Sequence, residues 1–433
     1  MPRTKRRRPN WPYRFAWLAM LGGIVVYIIA QTLIGGMTYG RRSYGTDWGL
    51  ALVASCLDAT FAAWFVAVGA SIGSFLNVVA FRLPRGRNVG GHSGCFYCQT
   101  PIRSSDNVPV LAWIKLRGRC RTCRLPLSIQ YPLVEFGVAM VFLFVYMTEI
   151  SRSGANLPGA EALASGGGLL RMRVTTDLVA RSLTYLLAIS GLIAAALIAV
   201  RRQVVPLKLF MWTITPWLAA ALIRPELVIV GWRQAASIQW DVQVGWLPDR
   251  LEAITTIICG MAAAMAVARL LTPLLYPNFD RRLLSSDAAT RAARQFLAAM
   301  GVAGGLMGWQ AVVPLAWVVL LTSLIAIAVL HRFRESAALG DLVVWLWLGL
   351  VLFRASWRWL IDLGEFFLPA TAPAVTCHIG GAVLLAPLAI LIRRLAEPRP
   401  SQPEQLTQRA DLELEADDSK LTVGNVPMSN NNG

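Results

Sequence analysis

The sequence predicts an all-α, polytopic integral membrane protein of about 8–10 transmembrane helices with one small cytoplasmic zinc-binding loop domain. Three observations predict it. The residues A, V, I, L, M, F, W, Y and C make up 56% of the 433 residues, and the 35 glycines (35/433, about 8%) raise the apolar share to about 64%, against about 45–50% in soluble domains. Those residues fall in runs of roughly 20, the length of helix that crosses the hydrocarbon core. The largest polar interruption between runs holds four cysteines in two C-x2-C pairs. With only 15% charged residues, a soluble globular enzyme is excluded. The net charge is 41 − 24 = +17, but the arginines flank apolar spans and form no separate basic domain. The expected partner of that charge is therefore a lipid bilayer and not a nucleic acid.

Met1–Asn10 carries Arg3, Lys5, Arg6, Arg7 and Arg8 ahead of the apolar run Phe15–Ile34. That run is too long for a signal h-region and no small-residue cleavage site follows, so it reads as a retained first helix with a cytoplasmic N-terminus. Further spans are expected at 49–81, 132–150, 178–200, 207–223, 252–276, 310–330, 341–363 and 375–393. The chain divides into N-terminal transmembrane helices (1–81), a loop domain (82–130), a transmembrane helical bundle (131–395) and a tail (396–433). Segment 82–130 has nine Arg or Lys against one acid, Asp106, which puts it in the cytoplasm by the positive-inside bias. The same bias places 151–177 and 224–251 outside, and Arg201–Arg202 and 279–295 inside. Phe296–Leu330 is too long for one span and short for two. The basic His331–Arg334 after it favours a short re-entrant or tilted piece at 296–308 before a full span. The Pro-, Gln-, acid- and Asn-rich tail is expected to be disordered and cytoplasmic, giving a multi-pass membrane protein with both termini inside.

The cysteine pairs are Cys95-Phe-Tyr-Cys98 and Cys120-Arg-Thr-Cys123. Two such pairs can close a tetrahedral thiolate shell around zinc at about 2.3 Å. Disulfides or idle thiols are the alternatives, and a reducing cytoplasmic side disfavours disulfides. A loop this poor in apolar residues needs a staple to fold, and with all four ligands from cysteine the zinc is structural.

Gly73-Ser-Phe-Leu-Asn-Val-Val-Ala-Phe-Arg-Leu-Pro84, the cysteine pairs around Asp106-Asn-Val-Pro-Val-Leu-Ala-Trp113 and Arg117-Gly-Arg-Cys120, and Ser128-Ile-Gln-Tyr-Pro-Leu-Val-Glu135 follow one another in a recognisable order. Across these motifs the chain resembles the N-terminal half of bacterial prepilin leader peptidases. The resemblance implies a polytopic inner-membrane aspartic protease acting on type IV pilin or type II secretion pseudopilin precursors. It also implies, for many members, N-methylation of the newly exposed residue from S-adenosylmethionine.

That family uses two intramembrane aspartates, one activating water and the other its acid partner sharing a proton. The first stands seven residues before a hydrophobic-Pro pair, and here Ala199-Val-Arg-Arg-Gln-Val-Val-Pro206 puts Ala199 in its place. The second ends a G-x-G-D element before a small-residue helix and Gly-Trp. Phe296-Leu-Ala-Ala-Met-Gly301 with Gly308-Trp309-Gln310 puts Ala293 there. Methyl groups cannot activate water. A second placement takes Ala338-Leu-Gly-Asp341 as a partial G-x-G-D with Gly349 following, and Asp280 precedes it at a separation similar to that of the family's two aspartates. Asp280 and Asp341 are then the expected catalytic pair. Asp280 lacks the following Ile-Pro, and an acid among arginines at a helix end also reads as a solvated ion-pair partner.

Asp58 at bilayer depth is a functional candidate or marks a break before the true span. Glu135 is expected to hydrogen-bond within the bundle, His92 to be a loop histidine or a substitute ligand, and Cys377-His378 a metal pair by type. Cys56 and Cys259 read as small buried apolar residues, and Trp212, Trp217, Trp345, Trp347, Trp357 and Trp359 as interface anchors. Three function classes follow: an active leader peptidase, a catalytically silent relative that binds pilin-like substrates or assists assembly, and an unrelated transporter. The last is weakest, since no matching pair of Gly/Pro-broken spans is visible.

Overall fold

The structure, a computed structural model, describes residues 11–40, 48–91, 93–95, 97–157, 175–228, 247–330, 341–362 and 372–396. The basic N-terminus, His92, segments 158–174 and 229–246, His331–Arg334 and the polar tail lie outside them, as do the side chains of Cys377 and His378. The described residues form α1 (Trp11–Gly40), α2 (Trp48–Arg82), a short α3 (Leu111–Leu116) in the cysteine loop, and α4 (Gln130–Val145), which a π-helical turn Tyr146–Ile150 continues. They go on to α5 (Thr176–Val200), α6 (Leu207–Ile223), α7 (Leu247–Leu275), α8 (Ala288–Met307), α9 (Val312–Leu330), α10 (Val343–Asp362) and α11 (Ala372–Ala396). Among the described residues no strand forms beyond two isolated bridges. Among the described residues, eight helices are long and apolar enough to cross a membrane. The protein is an all-α integral membrane protein.

The helices form because long apolar runs can satisfy backbone groups internally only as helices, and local signals set their ends. The Thr175 side chain caps α5 by accepting from Leu178 N–H, and Asp287 caps α8 by accepting from Thr290 N–H at 2.9 Å. Small residues then decide which helices touch. A Cβ at Gly73 of α2 would stand 2.7 Å from Glu135 Cα of α4. A Cβ at Gly304 of α8 would collide with the Gly260 carbonyl oxygen of α7. Backbones can approach this closely only where no side chain intervenes, so α2 packs on α4 and α7 on α8.

The short re-entrant or tilted piece expected at 296–308 is longer than expected, being part of the continuous 20-residue helix α8. Hydropathy misjudged it because Arg291, Arg294 and Gln295 dilute its first turns, yet most of α8 is buried among other helices and needs no lipid-facing apolar surface. It ends at Gly308, whose φ of 84° stops the helix before α9.

Candidate functional site: the thiol loop and the ends of α5 and α8

The cysteine loop is built from two copies of one backbone knuckle, one starting at Cys95 and the other at Cys120. Cys95 N–H donates to Thr100 O and Gln99 N–H to Cys95 O, both at 3.0 Å; Cys120 N–H donates to Leu125 O at 2.9 Å and Arg124 N–H to Cys120 O at 3.2 Å. Bridges Gly94–Pro101 and Arg119–Pro126 close the two copies, and Gln99 (φ 59°) and Arg124 (φ 63°) adopt the left-handed conformation directly after the second cysteine of each. Sequence reading missed this repeat, although its signal, C-x-x-C-x-x-P twice, is visible.

The knuckles face each other. All four sulfurs lie within 4.8 Å of one another, with Cys95 Sγ 3.7 Å from Cys123 Sγ and Cys98 Sγ 4.0 Å from Cys120 Sγ. A tetrahedron with 2.3 Å metal–sulfur bonds has sulfurs about 3.8 Å apart. The donor set therefore fits one thiolate-bound metal ion. The Thr100 hydroxyl and backbone N–H pull the Cys98 thiol down to about 6. Cys123, although the Leu125 N–H lowers it, is pushed up to about 11 by desolvation and by its three sulfur neighbours. Crowded thiolates repel one another, a repulsion that a divalent cation removes.

Asp106, the only acid of the loop, accepts from Arg121 and stands 3.5 Å from Lys115 Nζ, and the Arg121 hydrogen bond holds its carboxyl below the usual range. Glu135 accepts from the Ser74 hydroxyl of α2, within the bundle as expected, and also reaches the loop, where it accepts from Val110 N–H at 2.6 Å. Val110 sits at φ 59°, ψ −54°, with Leu111 N–H donating to Pro109 O at 2.6 Å. This is the rare hand of γ-turn, strained for a β-branched residue. Between the loop and α2 and α4 lies a cavity of about 580 Å³.

The two positions that the resemblance gives to the aspartates come to adjoining ends. Ala199 closes α5 and Ala293 lies in the second turn of α8; both are buried, Ala293 completely. Gln295 Nε2 donates to Gln203 O at 3.2 Å and ties the start of α8 to the turn that follows α5. Asp280 and Asp341 have separate surroundings. Asp280 accepts from the backbone N–H groups of Arg282, Leu284 and Ser285, which hold its carboxyl below the usual range. Asp341 accepts from Val343 N–H at 3.2 Å, at the start of α10, and burial pushes its carboxyl up to about 6 against the opposing pull of that N–H and of Arg291. The hydrogen bonds that each carboxylate accepts come from its own neighbouring backbone and not from the other.

Asp58 is buried within the unbroken helix α2, accepting from Tyr27 and, at 2.5 Å, from Tyr146. Three residues beyond Tyr146, on the π-helical turn, Glu149 meets Arg354 of α10 at 2.5 Å, with Ser182 donating to Glu149 and the guanidinium 3.9 Å from the Tyr185 ring centre. Sequence reading missed this pair, though an arginine inside the span Val343–Leu360 was its signal. Cys56 is exposed and not buried as expected, and Cys259 is half-buried. Trp217 and Trp357 are core residues and not interface anchors, Trp345 and Trp347 are half-buried, and Trp212 and Trp359 are exposed.

A helical membrane protein with a four-thiol loop closing over the second and fourth helices is the class that this fold and site define. The sequence match is narrower. Residues 67–149 match the Bacterial Peptidase A24 N-terminal domain. Over that segment the chain is similar to the prepilin leader peptidases. It is 41% identical over 83 residues to the prepilin leader peptidase/N-methyltransferase of Myxococcus xanthus (19% of this chain, 25% of that protein). It is 42% identical over 94 residues to a type 4 prepilin-like proteins leader peptide-processing enzyme of Escherichia coli (17% and 35%). With the prepilin leader peptidase/N-methyltransferase of Burkholderia pseudomallei it shares 33% identity over 148 residues (28% and 43%). The chain thus spans less than half the length of these relatives. No solved structure matches it.

Proposed function

We propose that this protein is an inner-membrane relative of the prepilin leader peptidases that binds the leader segment of a pilin-type or pseudopilin precursor without cleaving it. The observation that carries this reading is the pair Ala199 and Ala293 at adjoining helix ends. The resemblance assigns the family's two water-activating carboxyl groups to these positions, where this chain carries methyls. Coexpression with a prepilin tests it: the precursor should copurify uncleaved, and cleaved product in wild type would overturn it.

A second reading is favoured by one observation, the raised carboxyl of Asp341 beside Arg291 and Tyr276, whose hydroxyl accepts from Leu342 N–H. In it Asp280 and Asp341 act as acid and base in leader cleavage. It requires the turn that engages Asp280 to open, so that the two carboxyls come within about 3–6 Å and share a proton. Cleavage lost in both Asp280→Asn and Asp341→Asn would support it.

In either reading the four cysteines hold one structural zinc ion, supported by the sulfur spacing. The basic loop and N-terminus support cytoplasmic termini. In the cleaving reading, the relatives' names support N-methyl transfer as a second activity, for which the resemblance implies S-adenosylmethionine as the donor. The basic residues are read as facing lipid and cytoplasm, with no nucleic-acid partner.

A further inference from the structure

We propose that the cavity between the thiol loop and α2 and α4 binds the headgroup of an aminophospholipid, with its primary ammonium on Glu135 and Asn77 and its phosphate towards Arg82 and Arg87. The inference is independent of leader binding and rests on the cavity's floor, rim and position.

The floor is formed where Gly73 lets α2 press onto α4, and it presents Ser74, Asn77 and Glu135. Glu135 is 9% exposed and accepts from the Val110 N–H and the Ser74 hydroxyl, and no ion pair to it forms among the described residues. Asn77 is 2% exposed; its Nδ2 donates to the carbonyls of Gly73 and Tyr131, and its Oδ1 has no partner. Two acceptor groups, one of them a carboxylate, thus share one cavity with no cation bonded to either among the described residues. A buried acceptor in this state bears the cost of its lost hydration, and a charged one bears more. A group with several N–H donors and a positive charge answers both. Trimethylated ammonium carries the charge but has no N–H to donate to the carboxylate or to Asn77 Oδ1.

The rim has the opposite sign. Arg82 and Arg87 line the cavity, while the nearby acid Asp106 is already neutralised by Arg121 and Lys115. The volume of about 580 Å³ lies within the usual range for a small-ligand site, about 300–1,000 Å³. Position decides the source of the ligand. The cavity lies where the candidate spans Trp48–Arg85 and Gln130–Ile150 meet the polar loop, so a headgroup can enter while its chains remain beside α2, where Phe75 is exposed. The strained γ-turn at Val110, fixed by Glu135, ties the cavity's shape to the same carboxylate.

The test is native mass spectrometry of the full chain purified in detergent, with phosphatidylethanolamine, phosphatidylcholine or phosphatidylglycerol added at equal amounts. Phosphatidylethanolamine should be retained at one per chain and at least about tenfold better than the other two. Glu135→Gln should remove that preference. Arg87→Gln, at an exposed position that cannot unfold the loop, should weaken retention of phosphatidylethanolamine severalfold. Equal retention of phosphatidylcholine, preference for phosphatidylglycerol, or unchanged binding in Arg87→Gln would overturn the proposal. So would displacement by phosphoethanolamine lacking acyl chains at equal concentration, which would mean a soluble amine and not a lipid.

Discussion

Gln295 Nε2 donates to the backbone carbonyl of Gln203 at 3.2 Å, across two helix ends that carry Ala293 and Ala199, the positions matched by resemblance to the family's aspartates. The bond places the two methyls on adjoining elements, two and four residues from its ends.

Restoring both groups should therefore restore chemistry. Positioned acid–base groups contribute about 10²–10⁴-fold each. In coexpression with a prepilin, Ala199→Asp and Ala293→Asp singly should leave cleavage undetectable, and the double variant should produce it. Cleavage in wild type that disappears in Asp280→Asn and in Asp341→Asn would move the chemistry to that pair instead.

The thiol loop should carry about one zinc per chain, measured by elemental analysis. Cys95→Ser with Cys98→Ser should abolish it and make 82–130 sensitive to protease, because a loop with so small a core folds on its metal. A metal-free loop that resists protease would sink the zinc assignment.

The side chains of Glu149 and Arg354 are each 1% exposed. Removing one charge leaves the other buried and unpaired, at a cost of about 3–5 kcal/mol. Glu149→Gln and Arg354→Met should each lower thermal stability in detergent sharply, and the double variant should recover most of the loss. Additive losses would show that the pair is not the interaction that joins the π-helical turn to α10.

Asp341 gives stability a pH dependence. Its carboxyl titrates near 6 in the folded protein, against a usual value of 3.8, because burial opposes its charge more than the Val343 N–H and Arg291 favour it. The folded state binds the extra proton between those values, so this contribution is full below about 4 and is lost as pH rises through about 6. Its size is about 3 kcal/mol. Thermal unfolding between pH 4 and 7 should show that decline, and Asp341→Asn, which can still accept from Val343 N–H, should flatten it. An unchanged profile in the variant would show that Asp341 does not titrate there.

Reporter fusions after Gly94 and at the C-terminus should report cytoplasm, and one at Gly166 the outside. A periplasmic signal at Gly94 would reverse the orientation and remove the reducing-compartment argument for zinc.

The membrane class, the cysteine pairs and the family motifs were all legible in the sequence, because each rests on composition or on spacing along a short stretch of chain. An apolar run declares its solvent and C-x2-C declares its turn whatever the rest of the chain does. Tertiary packing decided the rest. Whether α8 is a full helix depended on neighbours that cover its polar first turns, which hydropathy cannot see. The environments of Asp280 and Asp341, which lie on opposite sides of α8 and α9 in the chain, depended on which backbone N–H groups each met first. The Glu149–Arg354 pair, separated by 205 residues, exists only because the turn after α4 and α10 bury those two charges on each other, where each is tolerated by virtue of the other.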